Sequence, residues 1–297
     1  IGCDIHHIGY AGITMSGGDR ETLTPAGHFA ENNHIHHTSV IRRTHAGALS
    51  LRGVGCRASH NLIHHDPHTA VWWRGNDHVM EFNEIYYVCN ETTECGAFYT
   101  GRNWTYRGNM IRGNYIHHIN DSREGCGSGI NVVHLDDAVS GTTFEDNLCR
   151  LCGRGVSICG GPDNIVTNNI FVDCMLGVSL SARGIQWWQY TRHEDGTVTA
   201  IDTRTGRESD TLLGTLDDVP YQEPPWTKYP HMADFLAPER DPVGAPWFCR
   251  VERNISAGEG QFISVSNMVK DEWVTIEDNW DSGDPGFVDL DGGAFRL

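Results

Sequence analysis

The chain contains an internal repeat, and this repeat limits its fold more than any other feature. A five-residue phrase, Asn-x-Ile followed by two histidines or two tyrosines, occurs four times. The copies are Asn33-His-Ile-His-His37, Asn61-Leu-Ile-His-His65, Asn83-Glu-Ile-Tyr-Tyr87 and Asn114-Tyr-Ile-His-His118. They lie 22 to 31 residues apart. Because leucine-rich and ankyrin arrays keep a fixed period, this variable spacing excludes them and favours a solenoid with unequal loops.

A second phrase lies between successive copies of the first. It opens with a small residue, after which apolar residues alternate with polar or aromatic ones. Its copies begin at Gly12, Ala48, Ala70, Ala97, Gly129, Gly155 and Gly177. Alternation with a period of two is typical of short strands with one buried face. Two or three such strands per repeat make one coil of a solenoid, and the recurring asparagine suits a ladder at an inward turn.

We therefore predict an all-β fold, a right-handed parallel β-helix (solenoid) of roughly nine to ten coils. Residues 1–297 form a single β-helix domain, with residues 185–250 as an inserted excursion. Seven of the eleven prolines lie between Pro220 and Pro246, and Asp195-Gly196 predicts a hairpin inside the insertion. Since the chain begins inside a repeat and has no starting Met, we expect an N-terminal truncation.

The charge balance narrows the range of partners. Lys and Arg number 22 against 39 Asp and Glu, which gives a net charge of −17. Nucleic acids and anionic membrane surfaces require basic patches, so we expect neither as a partner. No apolar stretch reaches the length of about 18 residues that a membrane span needs.

Aromatic side chains are predicted on the outer surface of the solenoid. When the small-residue strands are aligned, their third positions point away from the core. These positions hold Thr14, Ser50, Trp72, Tyr99, Asn131, Ser157 and Ser179. Trp72 and Tyr99 fall on consecutive coils, and neighbouring exposed rings offer a stacking surface for sugars. We predict both as substrate-binding residues; the alternative is that loops cover them as ordinary packing.

Acidic residues flank the same strands. Glu91 and Glu94 precede the Ala97 strand, while His134, Asp136 and Asp137 end the next one. Glycoside hydrolysis uses two carboxylates, one as acid and one as nucleophile or base. We predict Glu94 as the acid, Asp136 as the nucleophile or base and Asp137 as its neighbour or substitute. Glu91 and His134 are predicted to contact substrate; the alternative is that acidic loop residues are simply solvated.

Two further segments are predicted to line the groove. Arg102 and Trp104 follow the Tyr99 strand directly. Arg102 would steady a carboxylate or bind sugar hydroxyls, and Trp104 would form a wall; the alternative is an exposed turn. Arg183 ends the last strand of the series and leads into the insertion, where it would line one end of the groove.

The 17 histidines do not predict a metal centre. A zinc site needs three or four ligands that converge on one point, whereas the histidine pairs occur once per coil and should form a ladder along the axis. Asp289-Leu-Asp291 lacks the further ligands of a calcium loop. We expect no metal and no cofactor.

Longer motifs carry a resemblance to a known group. They include Gly17-Gly-Asp-Arg20, Gly75-Asn-Asp-His78, Gly96-Ala-Phe-Tyr-Thr-Gly-Arg102 and Leu135-Asp-Asp137. In these motifs the chain resembles bacterial right-handed parallel β-helix proteins related to the glycoside hydrolase family that contains α-L-fucosidases and xylanases. The resemblance implies a secreted, extracellular or periplasmic glycoside hydrolase that degrades a plant or microbial polysaccharide through acidic residues on adjacent coils.

Two other functions remain open from the sequence. One is a polysaccharide lyase or epimerase acting on a uronate polymer. Lysine is absent before Lys228, which counts against a lysine base, but Arg52, Arg74 and Arg102 remain available. The other is a non-catalytic, glycan-binding solenoid.

Overall fold

The computed structural model describes residues 1–119 and 129–287 of the chain. Its main body consists of three parallel sheets of eight strands, and each coil contributes one strand to each sheet in turn. The all-β, right-handed parallel β-helix predicted from the sequence is confirmed. The described residues contain eight strands per sheet, against the nine to ten coils expected.

We number the sheets in the order in which the chain enters them. Sheet 1 contains Asp4–His6, His34–His36, Leu62–His64, Glu84–Tyr86, Tyr115–His117, Leu148–Arg150, Ile170–Val172 and Ile255–Ala257. Sheet 2 contains Ile13–Gly17, Gly47–Val54, Thr69–Asn76, Cys95–Gly101, Ile130–Asp136, Arg154–Cys159, Leu176–Ser181 and Gln261–Val265. Sheet 3 contains Phe29–Glu31, Arg57–Ser59, Val79–Glu81, Asn109–Arg112, Thr142–Glu145, Ile165–Thr167, Cys249–Glu252 and Val274–Glu277.

Alternation along the strands separates the core from the surface. In sheet 2, the inward residues stack from coil to coil as Leu49, Val71, Phe98, Val133, Val156 and Val178. All six are fully buried in one core that runs along the axis. The nine described cysteines are free thiols, and Cys149 takes the place of Ile116 in the next coil.

A ladder of eight buried or half-buried asparagines runs along the coils. Each member except the last donates its backbone N–H and its side-chain amide to the Oδ1 atom of the next member, at 2.9–3.1 Å. The members are Asn33, Asn61, Asn83, Asn114, Asn147, Asn169, Asn254 and Asn279. The ladder therefore satisfies backbone and side-chain groups at a turn that the core would otherwise leave without partners.

One register differs from the sequence-based alignment. The structure pairs Phe98 with Val133 and Tyr99 with His134, so that His134 occupies the outward position predicted for Asn131. Residues 129–136 allow two alignments that differ by three residues, one with Asn131 and one with His134 pointing outward. Because successive side chains point to opposite faces of a strand, a shift by an odd number of residues exchanges the inward and the outward side chains. Local pattern cannot choose between them, because the choice is made by pairing with the neighbouring strand.

Imidazole and phenol rings stack on the outer face of sheet 1. His6, His36, His64, Tyr86 and His117 follow one another with ring centroids 4.8–5.1 Å apart. The spacing equals the distance between parallel strands, so the stack is a direct product of the repeat. The paired histidines thus form a ladder along the axis.

The insertion lies between the sheet 2 strand Leu176–Ser181 and the sheet 3 strand Cys249–Glu252. It holds the helix Arg183–Gln186, an antiparallel sheet of Trp188–Arg192, Val198–Asp202 and Arg207–Glu208, the helix Gly214–Asp217, and the 3-10 helices Trp226–Lys228 and Pro238–Arg240. A third 3-10 helix, Asp271–Trp273, follows it.

The insertion has a hydrophobic core of its own. Trp104, Trp188, Leu212, Trp226 and Met232 are buried together in it. Trp104 belongs to the β-helix, so this second core fastens the insertion onto the solenoid beside sheet 2. None of the helices in the described part of the chain is long and apolar enough to cross a membrane.

The asparagine ladder yields a stability prediction. Asn114→Ala removes the oxygen that accepts from both the backbone and the side chain of Asn83, which leaves buried donors unpaired. We expect the free energy of unfolding to fall by about 2–4 kcal/mol, measured by urea denaturation. The control is Asn90→Ala, which changes an exposed asparagine outside the ladder. Equal stability of the two variants would contradict a structural role for the ladder.

The ring stack on sheet 1 yields a pH prediction. Burial, and then the neighbouring histidines, lower the pKa of His64 to about 4, so the unfolded chain binds a proton between pH 6.5 and 4 that the folded chain does not. His64 therefore contributes stability that is present above pH 6.5 and is lost as the pH falls toward 4. We expect the urea midpoint to fall less on acidification in His64→Gln than in the parent. His193→Gln, an exposed change in the insertion, should behave as the parent does; an unaltered pH dependence in His64→Gln would oppose this account.

Candidate active site

The outer face of sheet 2 carries a row of aromatic rings. Trp72, Tyr99 and His134 are paired neighbours on three consecutive coils. The Trp72 and Tyr99 rings meet edge to face with centroids 5.2 Å apart, and Tyr99 meets His134 in the same way at 5.5 Å. Trp72 and Tyr99 are half-buried, so part of each ring remains open to solvent. The structure thus places both predicted stacking residues in one continuous row.

Asp136 lies at the end of this row, where strand Ile130–Asp136 finishes. The Tyr99 hydroxyl donates to Asp136 Oδ2 at 2.8 Å, and Arg183 Nη1 donates to Oδ1 at 3.0 Å. His134 Nε2 lies 3.5 Å from the same Oδ1. Burial opposes the charged form, but His134, Tyr99 and Arg183 outweigh it and hold the pKa of Asp136 well below its ordinary value. Asp136 is therefore a carboxylate that stays ionised in acidic solution.

Asp137 is next to it but has the opposite electrostatic setting. Its side chain is only 1% exposed; it accepts from Arg102 Nε, and from Arg183 Nη1 at 3.4 Å. Burial, and then the negative charge of Asp136, raise its pKa despite both arginines. Two adjacent carboxyl groups whose pKa values are pushed apart are a typical acid and base pair.

His134 is buried beneath this pair. Its Nε2 atom faces Asp136 and also Cys159 Sγ, at 3.5 Å from each, and its Nδ1 atom has no hydrogen-bond partner among the described residues. Burial by itself would lower the pKa of His134, but the hydrogen bonds to Asp136 and Cys159 raise it to about 10. The imidazole is therefore a cation at neutral pH and stabilises the carboxylate of Asp136.

The insertion supplies one wall of the site. Arg183 lies over the Trp187 ring at 4.5 Å, and Arg204 lies over the same ring at 4.1 Å. Arg204 also pairs with Asp202. Sequence reasoning predicted Arg183 here but missed Arg204, because a residue of the insertion gives no sign of where it folds back. It also missed Cys159, although the alternation of its strand places Cys159 on the outer face.

Glu94 is not part of the carboxylate cluster. It precedes strand Cys95–Gly101, whereas Asp136 pairs with Gly101 at the opposite end. Seven residues of extended chain span about 23 Å, so the predicted pairing of Glu94 with Asp136 is corrected. Glu91 lies before the same strand and forms an ion pair with Arg43 on the surface.

Trp104 does not form an exposed wall. Its side chain is completely buried and contacts Phe235 and Tyr190 of the insertion, with centroids 4.8 and 5.6 Å away. The prediction that Trp104 contacts substrate is corrected, because the insertion covers it. Its neighbour Arg102 keeps 64% of its side chain exposed and does lie at the carboxylates.

The outer face of sheet 2 is basic at its other end. A cleft of about 390 Å³ opens beside Trp72, and Arg42, Arg52 and Arg74 are among the residues that line it. Arg42 lies over the Tyr10 ring at 5.1 Å, and Arg74 lies over Trp72 at 5.6 Å. Along the coils, the outer face of sheet 2 therefore carries a cluster of arginines, two aromatic rings and a pair of carboxylates, and this row is termed the groove of sheet 2.

Two groups of side chains in the described residues bring three metal-ligand atoms within 4.8 Å of one another: Asp4, His34 and His36, and His134, Asp136 and Cys159. The first group lies on sheet 1, on a different face from the groove. The second group is part of the carboxylate site, and a metal ion there would have to displace the proton that His134 shares with Asp136 and Cys159. Residues 289–291, the calcium-like loop of the sequence, lie outside the described residues.

The contacts of His134 can be tested without a substrate. In Asp136→Asn the burial of the imidazole remains but its anionic partner is lost, so we expect the pKa of His134 to fall from about 10 toward or below neutrality. The measurement is an NMR titration of the ring resonances, assigned by comparison with His134→Gln. Asp241→Asn removes a half-exposed carboxylate that pairs with Arg192 and has no described contact with His134, so it should leave the titration unchanged. The same His134 pKa in Asp136→Asn as in the parent would contradict the proposed contact.

Comparison with known proteins agrees with the architecture. Residues 46–187 match the family model described as the right-handed beta helix region. The matched segment covers six strands of sheet 2 and includes Trp72, Tyr99, Asp136, Asp137 and Arg183. No curated protein and no solved structure matches the chain. The relationship to fucosidases and xylanases therefore stays a prediction, whereas the right-handed β-helix, a fold shared by many enzymes and binding proteins of polysaccharides, is shown.

Proposed function

We propose that this protein is a glycoside hydrolase whose polysaccharide substrate lies across the coils in the groove of sheet 2. The observation that carries the proposal is the pair formed by Asp136 and Asp137. These neighbouring carboxyl groups have pKa values shifted in opposite directions, at the end of a row of aromatic rings. Such a pair supplies the proton donor and the anion that cleavage of a glycosidic bond requires.

Asp136 acts as the nucleophile or as the base that activates water. It stays ionised because Tyr99, Arg183 and His134 all stabilise its charge. The developing positive charge on the sugar ring is stabilised by this fixed carboxylate at the transition state.

Asp137 acts as the general acid in place of the predicted Glu94. Its raised pKa favours the protonated form that donates to the leaving oxygen. Arg102 covers it with a largely exposed side chain, so binding of the substrate displaces Arg102 and gives Asp137 access to the bond.

Aromatic and cationic side chains bind the sugar units. The faces of Trp72 and Tyr99 stack on sugar rings, and the hydroxyl of Tyr99 keeps its ring in place by donating to Asp136. Arg102 and Arg183 donate to sugar hydroxyls on either side of the carboxylates. The site needs no metal or cofactor for these steps.

A second candidate is a lyase or epimerase acting on a uronate polymer. The arginine-lined cleft favours it, because such enzymes neutralise the carboxylate of the sugar before they remove the proton beside it. A glycan-binding solenoid without activity is the remaining alternative.

Asp136→Asn and Asp137→Asn test the hydrolase proposal, since each keeps the shape of the side chain and removes its acid or base function. We expect each to lower kcat by about 10²–10⁴ on a polysaccharide that the parent cleaves, measured by release of reducing ends. Asp241→Asn changes a half-exposed carboxylate that pairs with Arg192 and has no described contact with Asp136 or Asp137, so it should retain parental kcat.

The outcomes separate the three functions. Reducing ends without unsaturated sugars support hydrolysis, while products with the ultraviolet absorbance of unsaturated uronates identify a lyase. Binding to a glycan array with no product from any bound glycan would identify a binding protein. Parental kcat in Asp136→Asn would remove Asp136 from the mechanism.

A further inference from the structure

The cleft beside Trp72 concentrates positive charge on an acidic protein. The chain carries a net charge of −17, yet three arginines, Arg42, Arg52 and Arg74, line this one cleft. Elsewhere in the described residues, arginines commonly pair with carboxylates, as Arg57 and Arg112 do with Glu81. Among the described residues, none of the three arginines of the cleft forms an ion pair with a carboxylate.

The β-helix repeat forces two of these charges together. Arg52 and Arg74 are direct partners on adjacent strands and project from the same face of sheet 2. Adjacent parallel strands are about 4.8 Å apart, so two guanidinium groups of like charge leave the backbone side by side. Like charges at this distance repel each other, and an anion bound between them would convert the repulsion into attraction.

The chemistry of the cleft selects a particular kind of anion. Guanidinium groups bind planar carboxylates and tetrahedral oxyanions through paired hydrogen bonds. Ser50 adds a hydroxyl and His45 an imidazole to the same lining, and Trp72 adds an aromatic face. Hydrogen-bond donors to an oxyanion, placed beside an aromatic ring, fit a sugar that carries a negatively charged substituent.

The cleft is also in line with the proposed catalytic pair. Arg74, Gly101 and Asp136 occupy equivalent positions on three consecutive coils when the register is followed across the sheet. Two strand spacings, about 10 Å, therefore separate Arg74 from Asp136. Gly101 has no side chain, and a Cβ atom there would lie 2.9 Å from the Cβ atom of Asp136. At this position, therefore, no side chain projects from the sheet between Arg74 and Asp136.

We propose that the cleft of Arg42, Arg52 and Arg74 is a subsite for an anionic sugar unit, either a uronate carboxylate or a sulfate ester, of the polysaccharide that crosses the groove. The inference rests on the proposed function and specifies its substrate class. The enzyme holds the charged unit at the arginines and cleaves the chain about two coils away, at Asp136. Because the protein is acidic overall, its electrostatic field repels anionic chains that do not bind in the cleft. Binding is therefore selective for chains whose charged unit pairs with the arginines.

The experiment measures binding in the Asp136→Asn background, so that turnover is not required. Isothermal titration calorimetry compares three probes of similar length: an oligogalacturonate, a sulfated fucan oligosaccharide and a neutral xylo-oligosaccharide. We expect one of the anionic probes to bind at least about tenfold more tightly than the neutral one, and the preference to weaken as salt is added. The better anionic probe identifies the carboxylate or the sulfate as the substituent.

A double variant, Arg52→Gln with Arg74→Gln, tests the residues. It should lose about tenfold or more in affinity for the anionic probe and little for the neutral one. The matched control is Arg207→Gln, an exposed arginine of the insertion, and a thermal melt checks that each variant is folded. Parental affinity of the folded double variant for the anionic probe, or equal affinity of the parent for all three probes, would overturn the subsite.

Failure of the subsite and failure of the proposed function are distinguishable. If the protein with Asp136 intact cleaves glycans but shows no preference for anionic chains, the subsite is wrong and the hydrolase stands. If anionic chains bind through Arg52 and Arg74 but are not cleaved, the subsite stands and the hydrolase is wrong.

Discussion

The asparagine ladder is the interaction on which the rest of the structure depends. A solenoid must turn the chain inward at every coil, and each turn leaves backbone groups without a strand partner. Here each asparagine donates two hydrogen bonds to the asparagine of the next coil. The hydrogen bonds at the turns therefore run from coil to coil, as do those that join the strands of each sheet. The ladder fixes one residue of each coil relative to its neighbour, and the loops between coils are then free to vary in length.

This tolerance of loops explains how the protein assembles a site. Tyr99, Asp136 and Arg183 are far apart in sequence, yet the stacking of coils brings the first two onto adjacent strands and the start of the insertion returns the third. The strands hold Tyr99 and Asp136 rigidly, while Arg102 and Arg204 approach from loops. A rigid carboxylate with adjustable cations around it is consistent with the proposed hydrolysis of a long, extended substrate.

The groove has two regions that differ in whether their charged side chains are paired. At one end the acidic pair is embedded among His134, Arg102 and Arg183, and the charges compensate each other over short distances. At the other end, the arginines beside Trp72 have no carboxylate partners among the described ion pairs. In the first region, the charged partners shift the pKa of each carboxyl group and so determine whether its protonated or ionised form is favoured. The second leaves positive charge available to a molecule from outside.

The sequence by itself determined the β-helix, because the Asn-x-Ile phrase and the period-two alternation encode the turn and the strand of every coil. It also determined that Trp72 and Tyr99 are neighbours, since their coils have well-marked strands. Only the tertiary structure decided that His134, and not Asn131, faces outward, that Glu94 lies a full strand away from Asp136, and that the insertion buries Trp104. The physical reason is common to all three: local pattern specifies which residues form a strand, but the register between strands and the cover above them depend on the length and folding of variable loops.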